Sequence, residues 1–177
     1  MNNFFRIDNL KKYRSQVSVI LVLFIIAVLQ STLLNHFRVF NVKPDIILVA
    51  LIISVSFFDF KWSMVFSFLV GIFRDSFSIL PFGLNTIICI LWVFLAKQIY
   101  RRLSTEDKLI SYAVPCMIVL LNNLTLQVIL FLLGKTIALS IFAKVVILEF
   151  VFALLLVIPL YKIFIFLLED SLPPQLY

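Results

Sequence analysis

Charge is scarce in this chain. Of its 177 residues, 14% are Asp, Glu, Lys or Arg, against about 25% in an ordinary soluble domain. Hydrophobic residues make up 63%, more apolar surface than water can solvate. A soluble enzyme, a cytosolic nucleic-acid binder and a secreted disulfide scaffold are thereby excluded, and an integral membrane protein remains. Glycine is scarcer still, with 3 residues against 20 Phe. Helices that cross through small-xxx-small contacts need more small residues, so packing by large side chains is expected, with few close backbone crossings. There is no GxxxxGK[ST] loop to cradle a nucleotide, no HExxH and no GxSxG, and one His in all. The two cysteines, Cys89 and Cys116, lie inside apolar runs without a CxxC spacing, which suits core packing rather than metal or redox chemistry. No catalytic constellation, metal or other cofactor is expected.

What is present is a series of apolar runs. Residues 1–16 are polar and basic, with Phe4, Ile7, Leu10 and Tyr13 recurring every third position. This suits a short amphipathic helix on the cytoplasmic leaflet, or a disordered tail. Residues 17–34 form a run of about 27 Å at about 1.5 Å per residue, long enough to span. Further runs cover 46–58, 62–73, 84–100, 109–133 and 144–168, with Pro115 and Pro159 inside the last two. The second is short for a crossing. The expected fold is an all-α integral membrane protein: a single membrane domain, with a six-helix transmembrane bundle over 17–168 and a cytoplasmic tail over 169–177.

Six crossings put both termini on one side. Ten of the 15 Lys and Arg residues fall on the side of the termini, which makes that side cytoplasmic. The net charge of +6 is therefore a topology signal, and no nucleic-acid partner is expected. The basic loop Arg101–Lys108 follows the same rule, with anionic lipid or a cytoplasmic partner as the functional alternative. Tyr13, Tyr100 and Tyr112 are expected at the inner interface.

Polar residues inside the bilayer are costly and seldom face lipid. Here they collect in the outer half: Gln30, Ser31 and Thr32 in the first helix, Asp45 opening the second, Arg74 and Asp75 in the third, Asn85 opening the fourth, Asn122, Asn123 and Gln127 in the fifth, and Glu149 in the sixth. The inner half is close to purely apolar. Asn122, Asn123 and Gln127 read first as interhelical hydrogen-bonding groups. The functional reading joins Asp45, Arg74, Asp75, Asn85, Asn122, Asn123, Gln127 and Glu149 in one outward-facing polar groove for a small molecule or a partner's helix, and Arg74, Asp75 and Glu149 favour it most. Neighbouring side chains diverge on a helix, so Arg74 is expected to pair with Glu149 rather than Asp75.

Several local patterns occur together in order: Leu29-Gln30-Ser31, then Lys43-Pro44-Asp45-Ile46-Ile47-Leu48-Val49, then Gly71-Ile72-Phe73-Arg74-Asp75, then Pro81-Phe82-Gly83-Leu84-Asn85. The set resembles the MreD family of rod shape-determining proteins of bacteria. The resemblance implies a non-enzymatic component of the cell-elongation machinery in the inner membrane. It implies association with the bitopic protein MreC, alongside MreB, RodA and a class B penicillin-binding transpeptidase, in lateral peptidoglycan synthesis. It also implies a bundle similar to the substrate-binding subunits of energy-coupling factor transporters. The family's positions map to Pro44 and Asp45, to Gly71 and Asp75, and to Gly83 and Asn85, with Pro44, Gly71 and Gly83 structural. The rival reading is a substrate-binding subunit for uptake of a vitamin-type small molecule. A lipid-modifying enzyme is the more distant one, because Asp75 and Glu149 are too isolated to make a metal site.

Overall fold

A computed structural model describes residues 2–32, 44–78, 80–103, 108–134 and 139–168. Its elements are six helices: α1 (Asn2–Thr32), α2 (Ile46–Phe57), α3 (Phe60–Ser76), α4 (Leu84–Arg102), α5 (Lys108–Leu132) and α6 (Leu139–Leu168). No strand occurs among the described residues. The connection 33–43, the loop 104–107 and the tail 169–177 lie outside them, as does the Tyr13 side chain.

The arrangement is a ring around a post. α1 meets α3, α3 meets α4, α4 meets α5, α5 meets α6, and α6 returns to α1, while α2 touches all five. The reason is legible in α2 itself. Its sequence, IILVALIISVSF, has no polar face, and a helix apolar on every side belongs in the centre. Residues Ile47 through Val55 are all buried. Ser54 is accommodated there by donating to the Leu51 carbonyl of its own helix at 2.6 Å.

Four helices contain stretches long and apolar enough to cross a membrane: Ser15–Thr32, Leu84–Arg102, Leu109–Leu132 and Ser140–Leu168. The architecture is consistent with a helical membrane protein. α2 and α3 are shorter, at 12 and 17 residues. α2 reaches only about 18 Å at about 1.5 Å per residue, less than a hydrocarbon core of about 30 Å. Enclosure resolves this, because its ends meet protein instead of lipid. At its start, Ile47 and Leu48 donate their N–H groups to Gln30 and Asp45. At its finish, the Lys97 ammonium donates to the Val55 and Phe58 carbonyls. Each terminus thus has orphan backbone groups satisfied by side chains inside the bundle.

α1 runs unbroken from Asn2 to Thr32, through the division expected between residues 16 and 17. Ser15 and Gln16 are buried, so the first packed turns of α1 precede the apolar run. The half of the bundle expected to be nearly apolar therefore holds polar groups: Ser15, Gln16, Ser63 and Ser111 are all buried. Tyr100, in the last turn of α4, is enclosed by protein, with 5% of its surface exposed. The Tyr112 ring lies edge-on to Tyr161 at 5.2 Å, and Phe57 in turn stacks near Tyr161 and Phe164. In lipid, burial of apolar surface does little to pull helices together, so such shaped contacts carry the packing.

One backbone crossing is close. Gly71 of α3 faces Thr86 of α4, and a Cβ on Gly71 would sit 2.5 Å from the Thr86 Cα. That atom belongs to helix backbone and cannot swing aside. Gly71→Ala is expected to force α3 from α4 and to destabilise by about 1–3 kcal/mol, as overpacking does. Thermal unfolding in detergent would read the loss. A melting temperature equal to that of the parent protein would mean the crossing has slack.

Candidate functional site

The polar residues of the four quoted patterns converge at the end of the bundle where α2 begins. The first cluster joins three helices. Asp45 is the N-cap of α2, its carboxylate accepting from the Leu48 N–H at 3.3 Å. The same carboxylate accepts from Gln30 of α1 at 3.3 Å and from the Arg74 guanidinium of α3 at 2.8 Å. Gln30 closes the loop by accepting from the Ile47 N–H at 2.8 Å. Arg74 is thus salt-bridged to Asp45, with both side chains mostly buried, and its other terminal nitrogen lies 3.8 Å from Cys89 Sγ. The expected Arg74–Glu149 pair is not formed. Asp45 stands on the central helix, which α3 packs against, whereas α6 lies across the ring and makes no packing contact with α3.

The second cluster is a helix cap supplied from another helix. Gly83 precedes α4 with φ +94°, a left-handed conformation natural to glycine, and has no side chain to cap with. Asp75 takes that role. Its two oxygens accept from the Asn85 N–H and Nδ2 at 2.9 and 3.0 Å, and from the Thr86 N–H and Oγ1 at 3.1 and 2.6 Å. The carboxylate is buried at the positive end of α4. Asp75 thus crosses to another helix, toward two backbone and two side-chain donors rather than a cation.

The third cluster joins α5 to α6: Asn123 donates to the Glu149 carboxylate at 2.7 Å. Asn122, next in chain, diverges from it and is 1% exposed, with its carbonyl oxygen unpaired among the described residues. Gln127 is partly buried.

A cavity of about 450 Å³ opens beside the first cluster, with Gln30, Ser31, Arg74, Ser78 and Asn85 as its polar wall. Of the residues expected to share one groove, Arg74 and Asn85 line this cavity. Asp45, Asp75, Asn122, Asn123, Gln127 and Glu149 do not. The expected single groove is instead three hydrogen-bonded clusters and one cavity. Among the described residues, no group of three or more His, Cys, Asp and Glu could hold a metal ion.

A family model for the rod shape-determining protein MreD matches residues 11–167. The chain belongs to the MreD family. Its role accordingly lies in the determination of rod shape. No match was found among curated proteins or among solved structures. In this MreD-family chain, sequence reading missed two polar contributors. Thr86 carried a signal, being the second polar residue in the first turn after Gly83. Lys97 also carried one, as a cation inside an apolar run, but it was absorbed into the count of topology charges.

Proposed function

We propose that the chain is a non-enzymatic scaffold of the cell-elongation complex, a multi-pass protein of the cytoplasmic (inner) membrane with both termini cytoplasmic. All six helices lie within the bilayer as one membrane unit, α2 and α3 completing their crossings inside the ring. The bundle then has the general plan of energy-coupling factor substrate-binding subunits. Its main partner is an MreC-like bitopic membrane protein, and through it MreB, RodA and a class B penicillin-binding transpeptidase are directed toward lateral peptidoglycan synthesis.

The observation that carries the partner reading is the hairpin of α5 and α6 at the end where α2 begins. Residues 124–132 and 140–152 contain no buried side chain. The hairpin nonetheless holds the Asn123–Glu149 pair and the partly exposed Gln127. Polar groups beside lipid gain by meeting a second helix, because packing and interhelical hydrogen bonds hold membrane helices together. A single transmembrane helix from a bitopic partner supplies both. With Glu149→Leu and Gln127→Leu combined, co-purification of the bitopic partner is expected to fall about tenfold, matching the loss of two such bonds. Equal recovery of the partner by a correctly inserted double variant would remove the hairpin as the docking face.

The cavity beside Arg74 favours a second reading, a substrate-binding subunit of a vitamin-type uptake transporter. Retention of an ATPase module in the same pull-down, with no bitopic protein, is the outcome that would select it.

A further inference from the structure

We propose that the face between α1 and α3 is a phospholipid site, with the lipid phosphate at Arg74 and a hydrocarbon chain in the trough beneath it. Two cavities meet on this face. The polar one is the cavity already described. The other, about 310 Å³, runs between Ile20, Leu23 and Phe24 of α1 and Phe66, Leu69 and Val70 of α3. Ala27, Ile47 and Phe73 line both, so the two cavities adjoin and make one amphipathic face, polar at one end and apolar at the other. Residue numbers rise together along its two walls, which puts Ser31 and Arg74 at its mouth. From there to Ile20 it descends about 16 Å along α1, at about 1.5 Å per residue.

The mouth offers unspent donors. A guanidinium has five N–H groups. Asp45 accepts one at 2.8 Å, and a second lies near Cys89 Sγ at 3.8 Å. The other three meet no acceptor among the described residues. Planar forks of this kind suit phosphate. The nearby negative charge of Asp75 is turned into the start of α4, where backbone N–H groups absorb it. A free anion would use only the mouth, and an apolar helix would use only the trough. A molecule with a phosphate head and a hydrocarbon chain fills both.

The full chain, extracted in mild detergent and exchanged into micelles containing phosphatidylglycerol, would be followed by native mass spectrometry. The parent protein is expected to retain phosphatidylglycerol. Ser31→Asp places a negative charge at the mouth and is expected to reduce retention about tenfold, the scale of a partly screened charge repulsion. Ser31→Lys, equal in disturbance and opposite in sign, is expected to retain the lipid. Leu69→Trp, on an exposed part of the trough wall, is expected to lower retention by filling the chain's space. Equal retention in all four proteins would make the lipid a general annular one and overturn the site. No retained lipid, or inorganic phosphate bound by lipid-free protein in its place, would overturn it too.

Discussion

Asp75→Ala is expected to be among the most damaging single substitutions in the described bundle. It leaves two buried backbone N–H groups at the start of α4, the Thr86 hydroxyl and the Asn85 amide without their acceptor. Hydrogen bonds to charged groups contribute about 1.5–3 kcal/mol each, and a buried donor left unpaired incurs its desolvation cost. These terms are not additive, and water can reach part of the site once the carboxylate is gone. A net loss on the order of 3–5 kcal/mol is expected. Gly83 cannot compensate, having no side chain to cap α4 from within. Asp75→Asn keeps one acceptor oxygen and should lose about half as much. Thermal unfolding of the two variants in detergent would check both the size and the order. A melting temperature for Asp75→Ala within a degree or so of the parent's would mean that α4 does not depend on this cap.

The second large effect concerns Arg74. Asp45→Ala strands its guanidinium in a mostly buried position and removes the side-chain cap of α2. Breaking a buried pair from one side costs about 3–5 kcal/mol, because the remaining charge is uncompensated. Replacing both partners by uncharged groups is far milder. Asp45→Asn combined with Arg74→Met should therefore recover much of the stability that Asp45→Asn alone loses. A double-mutant cycle gives the sharper reading. Coupling between Arg74 and Asp45 should reach about 1–3 kcal/mol, whereas Arg74 and Glu149 should couple by only a few tenths. Equal coupling in the two cycles would restore the pairing that the sequence suggested. Both variants alter the mouth of the proposed lipid site, so lipid retention is to be measured separately from stability.

Rod-shape determination depends on an assembly, and the three clusters divide the labour within this chain. The Gln30–Asp45–Arg74 cluster ties α1, α2 and α3 together, Asp75 ties α3 to α4, and Asn123–Glu149 ties α5 to α6. In a bilayer, where burial of apolar surface gives little preference between arrangements, such polar ties set which helix stands beside which. The end of the α5–α6 hairpin, residues 124–132 and 140–152, has no buried side chain, which is why the partner helix is proposed there.

Much of the local structure was legible in the chain alone. The apolar runs locate α2 to α6 to within about five residues, because hydropathy is a local property and those runs are bounded by Pro, Gly or charge; α1 begins well before its run, at Asn2. The glycine before α4 and the all-round apolar character of α2 are also local signals, and the latter marks a central helix. The family patterns pointed to Asp45, Arg74, Asp75 and Asn85 as a set. What tertiary structure alone decided is which groups meet. The sequence argument weighed Asp75 and Glu149 as partners for Arg74 and passed over Asp45, which is the one that pairs with it. The choice followed from the ring order, with α3 against α2 and apart from α6. Asp75 became a cap because Gly71, one turn earlier, lets α4 approach to backbone distance. Lys97, counted from sequence as a topology charge, also donates to carbonyls at the end of α2, which is visible only once α4 is placed beside it. Each of these depends on contacts far apart in sequence, and hydropathy carries no information about them.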